Sequence, residues 1–205
     1  EMSASLVGSE MCIRDRTYTF SVPAYQTAAG TADIMSHIME CYFSNVQGYM
    51  QDRMAEGLLK TCIEFGVKAI AKPDDYEARA NLMWASSWAI NNFIKLGKAV
   101  EWSVHPMEHQ LSAYYDITHG VGLAILTPHW MEHVLNDNTV EKFKEFGVNV
   151  WDLSKDEDAY TIAHQAIQKT REYFVAMGIP TTLREVGIVD DRYFCLLYTS
   201  PSPRD

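Results

Sequence analysis

Residues 105–120 read HPMEHQLSAYYDITHG, and residues 26–37 read QTAAGTADIMSH. Each stretch contains two polar residues that stand four positions apart: His105 with His109, and Asp33 with His37. Side chains at positions i and i+4 leave the same side of an α-helix, one turn apart. The spacing therefore predicts that both stretches are helical and that each helix presents one pair of polar side chains on one face.

Helical spacing of apolar residues extends over most of the chain, as at Ile34, Ile38 and Cys41. Glycine, proline and aspartate mark the ends and predict helices at 27–48, 51–71, 76–96, 106–115, 119–134, 139–150 and 156–177. Residues 17–25 are rich in β-branched and aromatic residues and include Pro23, so this segment is predicted to be extended. The predicted fold is an all-α bundle of about seven helices.

The two ends of the chain are not expected to be natural protein. Residues 195–205 read CLLYTSPSPRD, and residues 7–15 read VGSEMCIRD. One DNA sequence that encodes the first segment also encodes the second, when its reverse complement is read in another frame. Such a match is typical of a transposase sequencing adapter retained in an assembled read. The natural sequence is therefore predicted to be residues 17–194, flanked by adapter-derived tails at 1–16 and 195–205.

The composition is that of a folded globular domain. Of 205 residues, 47% are hydrophobic and five are Trp, which argues against disorder. The net charge of −10 disfavours a nucleic-acid partner, because such a partner requires a basic face. No apolar run is long enough to cross a bilayer, so no membrane association is expected. Outside the predicted tails the cysteines are Cys41 and Cys62, which form no C-x-x-C pair, and a reducing, cytoplasmic location is expected.

Five polar residues form a candidate metal centre: Asp33, His37, His105, His109 and His119. Carboxylate and neutral imidazole groups are ligands for Fe(II) and Zn(II). Asp33 and His37 follow a run of small residues at 28–32, which allows another backbone to come close, and His119 precedes a glycine at a predicted helix start. This context, more than the spacing, favours a metal site.

Spacing alone does not decide which histidines bind a metal. His129 and His133 are also four positions apart, and His164 is a further candidate. A single histidine is more often a polar core or surface residue than a ligand, and these three are predicted to be of that ordinary kind.

Beyond this pattern, residues 17–194 resemble the helical C-terminal domain of iron-containing (group III) alcohol dehydrogenases, in the branch of butanol dehydrogenases and NADPH-dependent aldehyde reductases. The resemblance is carried by five segments, at 26–37, 51–59, 79–85, 105–113 and 116–128. The family pattern D-x3-H followed by H-x3-H-x9-H is filled at all five positions. The resemblance implies the fold of the metal-binding domain shared with dehydroquinate synthase-like proteins.

The resemblance also implies a role for each of the five residues. Asp33, His37, His105 and His119 are the implied metal ligands, for Fe(II) or Zn(II). His109 is the implied catalytic histidine, which does not bind the metal and lies near the nicotinamide and the substrate. The implied reaction is hydride transfer between NAD(P) and a primary alcohol or aldehyde, and the full-length enzyme is expected to be a homodimer.

One departure from the family is large. The sequence contains no G-x-G-x-x-G loop of the kind that holds a dinucleotide, and the final helices of the domain are expected to be missing. The chain by itself is therefore expected to be inactive. Two alternatives remain: a polyol dehydrogenase or dehydroquinate-synthase-like relative, which would bind metal through other residues, and a non-catalytic helical interaction module. In the module the histidines, with Met83, Trp84 and Trp88, would simply pack in the core.

Overall fold

The computed structural model describes residues 16–100 and 102–189. Within these residues there are seven α-helices and no strands: α1 (Ala24–Tyr42), α2 (Tyr49–Ala71), α3 (Tyr76–Ile90), α4 (Val104–Tyr115), α5 (His119–Val134), α6 (Val140–Trp151) and α7 (Ala159–Ala176). Short 3₁₀-helices lie at Arg16–Thr19 and Phe93–Lys95. The prediction of an all-α bundle of about seven helices is confirmed. The predicted tails at 1–16 and 195–205 lie outside the described residues, except for Arg16.

Aspartates set several of the helix ends. The carboxylate of Asp75 accepts a hydrogen bond from the backbone N–H of Ala78 and caps the start of α3. Asp158 caps α7 in the same way. Asp116 and Asp152 adopt the left-handed conformation with φ of 53° and terminate α4 and α6. The short Asp residue thus serves as both a start and a stop signal in this chain.

Three predicted boundaries are wrong. Residues 17–25 are not extended, because Arg16–Thr19 forms a 3₁₀-turn and Pro23 directly precedes α1, where its missing N–H costs nothing. The first helix ends at Tyr42, not near Gly48. The helix predicted at 76–96 ends at Ile90, since Asn92 takes the left-handed conformation with φ of 69°.

Helix α1 is the centre of the bundle and packs against α2, α3 and α5. Its residues Ala32, Met35, Ile38 and Tyr42 are 0% exposed. Complete burial of a side chain such as Met35 or Ile38 stabilises the fold by about 1.5–3 kcal/mol. Asp33 and His37 of the candidate centre thus lie on the helix at the centre of the described bundle.

A buried ionic cluster fixes the connection that leads into α4. Asp52 on α2 is 2% exposed and accepts hydrogen bonds from Lys98 and Lys142, the latter at 2.8 Å. Lys98 also donates to the carbonyl oxygen of Tyr42 at 3.5 Å. The segment that precedes α4 is therefore bound to both α1 and α2.

Among the described residues, no helix has both the length and the apolar character of a membrane span.

Candidate metal centre

The five candidate residues come from three helices. Asp33 and His37 lie in the middle of α1, His105 and His109 lie in the first half of α4, and His119 is the first residue of α5. Helix α5 packs against both α1 and α4, which brings the three helices together. The i, i+4 pairs thus form two sides of one site, and the start of α5 forms the third.

Three imidazoles converge on a single carboxylate oxygen. The Nε2 atoms of His37, His105 and His119 lie 3.4, 3.5 and 3.7 Å from Oδ1 of Asp33. Ligand atoms about 2.1 Å from a tetrahedral metal ion are separated from each other by about 3.4 Å. Ligand atoms of Asp33, His105 and His119 also lie within 4.8 Å of one another. The distances from Oδ1 of Asp33 to the three Nε2 atoms match those between ligands of one ion, although His37 is not part of the group whose ligand atoms all lie within 4.8 Å of one another.

Some buried polar atoms in the cluster have no hydrogen-bond partner among the described residues, and these include Oδ1 of Asp33 and Nε2 of His105. An unsatisfied buried polar atom costs about 1–3 kcal/mol, so a native structure rarely keeps one without a reason. Both of these atoms lie where the candidate ligands converge, and a divalent cation there would satisfy both. The residues therefore fit a metal ion.

The electrostatics of the cluster favour positive charge. Burial acts to lower the pKa of His105, but the nearby carboxylates of Asp33 and Glu40 outweigh burial and raise the pKa to about 9. Burial acts to raise the pKa of Asp33, yet the interactions with His105, His37 and His119 lower it overall. Burial, followed by repulsion from His105, lowers the pKa of His37. An ionised Asp33 is thus kept among imidazoles, as a cation site requires.

Glu40 on α1 contacts Nδ1 of His105, whose other ring nitrogen faces Asp33. The side chain of Glu40 is 2% exposed, and Oε2 lies 2.8 Å from Nδ1 of His105. Its other oxygen, Oε1, accepts the backbone N–H groups of Val104 at 2.6 Å and His105 at 3.1 Å. Ser103, the residue before α4, makes no capping hydrogen bond with its side chain. Glu40 therefore caps α4 and contacts the imidazole that this helix carries.

Glu108 on α4 holds His119 in the same manner. It is 0% exposed, and Oε2 contacts Nδ1 of His119 while Oε1 accepts the hydroxyl proton of Ser112. Gly122 leaves room for this carboxylate, since a Cβ there would lie 2.6 Å from Oε1 of Glu108. Sequence reasoning missed both glutamates. Their signal was helical spacing: Glu40 is seven residues after Asp33, and Glu108 three after His105.

His109 lies at the rim of the cluster and is exposed. Its ring centroid is 5.2 Å from that of His119 and 6.1 Å from that of His105. Trp102, a third residue that sequence reasoning missed, packs edge-on against His37 and His105 at 5.3 and 5.2 Å. His109 and Trp102 thus flank the candidate ligands on the surface side.

The centre is open on one side. The side chains of Asp33 and His119 are 34% and 36% exposed, whereas that of His105 is 7% exposed. The three other histidines, His129, His133 and His164, are exposed and lie outside the cluster, as predicted. The arrangement is a partly buried candidate metal centre that is exposed on the side of Asp33 and His119.

These features define a helical domain with one candidate metal centre among its described residues. The chain belongs to the Fe-containing alcohol dehydrogenase family, because the family model of the C-terminal region matches residues 27–196. The chain is 67% identical over 182 residues to NADH-dependent butanol dehydrogenase B of Clostridium acetobutylicum, covering 88% of this chain and 47% of that protein. It is 36% identical over 178 residues to the NADPH-dependent aldehyde reductase YqhD of Escherichia coli, covering 86% and 45%.

Solved structures agree with the sequence comparison. The substrate- and cofactor-free aldehyde reductase YqhD of E. coli superposes with a TM-score of 0.83 at 34% identity, covering 90% of this chain and 48% of that one. The NADH-dependent butanol dehydrogenase A of Thermotoga maritima gives 0.83 at 34% identity, covering 90% and 46%. The chain thus spans about half the length of the relatives it matches. The predicted family and domain fold are confirmed.

Proposed function

We propose that this chain is the metal-binding half of an NAD(P)-dependent dehydrogenase that interconverts primary alcohols and aldehydes. The observation that carries the proposal is the convergence of three imidazole Nε2 atoms on Oδ1 of Asp33, at 3.4 to 3.7 Å. The chain's membership of the Fe-containing alcohol dehydrogenase family supports the proposed substrate class. So do its relatives, which are named as butanol dehydrogenases and an aldehyde reductase.

In this proposal Asp33, His37, His105 and His119 hold one Fe(II) or Zn(II), since one carboxylate and three neutral imidazoles suit either ion. When bound, the ion supplies Lewis acidity that favours an alkoxide over an alcohol and polarises an aldehyde carbonyl. The hydride chemistry would be supplied by a nicotinamide cofactor bound in the complete enzyme. Asp33 and His119 leave the centre open on one side, where the substrate oxygen can approach.

We assign to His109 the transfer of a proton between the substrate oxygen and solvent. An imidazole can accept and release a proton near neutral pH. His109 is exposed, and its ring lies 5.2 Å from that of His119, so it can face solvent and the site together. The homodimeric state and the cytoplasmic location stay predictions.

A chimaera tests the proposed function. Residues 24–189 would replace the matching segment of NADH-dependent butanol dehydrogenase B of C. acetobutylicum, with that unaltered enzyme as the control. The chimaera is expected to bind metal and to oxidise butanol with NAD⁺, because the proposed ligands are transferred together with the helices that pack around them. A folded, metal-loaded chimaera without activity would contradict the proposal.

The chain by itself is expected to show no NAD(P)-dependent oxidation of butanol. Its sequence has no Gly-rich dinucleotide loop, so binding of the cofactor should be too weak to measure. The measurement is NADH formation with purified chain, compared with the chimaera at equal concentration. Turnover by the chain alone, at a rate proportional to its concentration, would show this prediction to be wrong.

The alternatives make different predictions. A polyol dehydrogenase or dehydroquinate-synthase-like relative would bind metal through other residues, so changes at His105 and His119 would not remove the metal. A helical interaction module would bind none, and its melting temperature would not change when Zn(II) or Fe(II) is added. Among the residues proposed as core in that reading, Trp84 is 59% exposed, so it does not act as a core residue within the described chain.

A further inference from the structure

Two buried glutamates each contact a proposed metal-binding histidine on another helix. Glu40 on α1 contacts His105 on α4, and Glu108 on α4 contacts His119 at the start of α5. Their side chains are 2% and 0% exposed. A buried carboxylate is costly unless hydrogen bonds compensate it, so the position of each glutamate implies a specific role.

The glutamates determine which imidazole nitrogen is free. A carboxylate only accepts hydrogen bonds, so Nδ1 of each contacted histidine must carry a proton. The nitrogen that remains is Nε2, and the Nε2 atoms of His105 and His119 lie 3.5 and 3.7 Å from Oδ1 of Asp33. Each glutamate therefore selects the tautomer and the ring orientation that point Nε2 into the centre.

We propose that Glu40 and Glu108 are positioning residues that set the affinity of the centre for its metal. This inference rests on the proposed function, since it assumes that His105 and His119 are metal ligands. Partners of this kind raise the basicity of a bound imidazole and fix its orientation, and their loss lowers metal affinity by about 10- to 100-fold. In the proposed ligand set neither glutamate is a ligand, although Glu108 also lies within 4.8 Å of His109 and His119 through potential ligand atoms.

The two glutamates use their oxygens differently. Both oxygens of Glu40 accept from N–H groups, Oε2 from the His105 ring and Oε1 from the backbone of Val104 and His105. A glutamine at position 40 would keep only one acceptor oxygen and would aim its NH₂ group at an N–H donor. Glu40→Gln should therefore lose either the capping of α4 or the hydrogen bond to the imidazole.

Glu108 can be replaced by glutamine at less cost. In Glu108→Gln the amide oxygen could accept from His119, and the NH₂ group could donate to the hydroxyl oxygen of Ser112. The hydroxyl of Ser112 already has a second acceptor, the carbonyl oxygen of Ile117 at 3.1 Å. Hydrogen-bond positioning thus predicts that Glu40→Gln weakens metal binding more than Glu108→Gln. If only the negative charge of the two glutamates mattered, Glu40→Gln and Glu108→Gln would weaken metal binding equally.

The test is titration of the purified chain with Zn(II) against a chromophoric chelator, and with Co(II) to record the visible spectrum of the bound ion. The variants are Glu40→Gln, Glu108→Gln and Glu108→Ala. The matched control is Glu64→Gln, because Glu64 is 59% exposed and its carboxylate pairs with Lys68 at the surface, away from the centre. Far-UV circular dichroism without metal establishes that each variant is folded.

The expected result is a loss of Zn(II) affinity of about 10- to 100-fold for Glu40→Gln and Glu108→Ala. A smaller loss is expected for Glu108→Gln, and none for Glu64→Gln, with an altered Co(II) spectrum only where the affinity falls. If Glu40→Gln does not fold, the difference between Glu108→Ala and Glu108→Gln decides the question.

Two outcomes separate this inference from the proposed function. If the wild-type chain binds Zn(II) and all three variants bind it equally well, the positioning role is wrong and the metal centre stands. Equal losses in Glu40→Gln and Glu108→Gln would also overturn positioning, in favour of charge alone. A wild-type chain that binds no metal overturns both.

Discussion

Replacing His105 or His119 by alanine is expected to abolish metal retention by the chain. Each change removes one of the four proposed ligands. In the wild-type chain three imidazole Nε2 atoms lie 3.4 to 3.7 Å from Oδ1 of Asp33. Loss of a residue that only orients a ligand lowers metal affinity by up to ~100-fold, so loss of the ligand itself should lower the affinity further. The measurement is elemental analysis of the purified protein, followed by Zn(II) titration.

The control for these variants is His164→Ala. His164 is exposed on α7 and lies outside the cluster, so its loss should leave metal content unchanged. His105→Ala and His119→Ala also leave Glu40 and Glu108 without their imidazole partners, so folding must be checked by circular dichroism. Full metal occupancy in either folded variant would show that the ligand assignment is wrong.

Gly120→Ala is expected to destabilise the protein and to disrupt the metal centre together. A Cβ at this position would lie 2.0 Å from the carbonyl oxygen of Ala29 and 2.6 Å from its carbonyl carbon. Because the obstacle is backbone, α5 must move away from α1, and His119 moves with it. Overpacking of this kind costs about 1–3 kcal/mol or more in the free energy of unfolding.

The matched control is Gly57→Ala, in the middle of α2. Gly57 is exposed, and a Cβ there would meet nothing within 4 Å. Alanine is the better helix former, so this variant should gain up to about 1 kcal/mol. Urea denaturation without metal measures stability, and Zn(II) titration measures the centre. A Gly120→Ala protein with wild-type stability and affinity would refute the close approach of α1 and α5.

Short-range patterns predicted the helices well where the helix ends are local. Asp75 and Asp158 cap their own helices, so the starts of α3 and α7 fell within a few residues of the prediction. Patterns failed at residues 91–96, where Asn92 adopts the left-handed conformation and the chain turns instead of continuing the helix. They also failed at residues 17–19, where a 3₁₀-turn forms.

The candidate site was predicted in part. The spacing of Asp33 with His37 follows from the helical repeat alone, and the small residues before them allowed the close approach that Gly120 makes to Ala29. The family resemblance separated the four proposed ligands from His109. Glu40 and Glu108 were missed, because a glutamate on a helix is ordinarily a solvated residue and its burial is visible only in the packed structure.

The sequence by itself determined the helical class, the family and the two pairs of candidate site residues, since all of these depend on residue types at fixed spacing along one chain. Only the tertiary structure decided that the pairs meet, because Asp33, His105 and His119 belong to three helices with separations of 72 and 86 residues from Asp33. It also decided which nitrogen of His105 and of His119 faces Asp33. That choice depends on Glu40 and Glu108, whose hydrogen bonds form only when α1, α4 and α5 pack together.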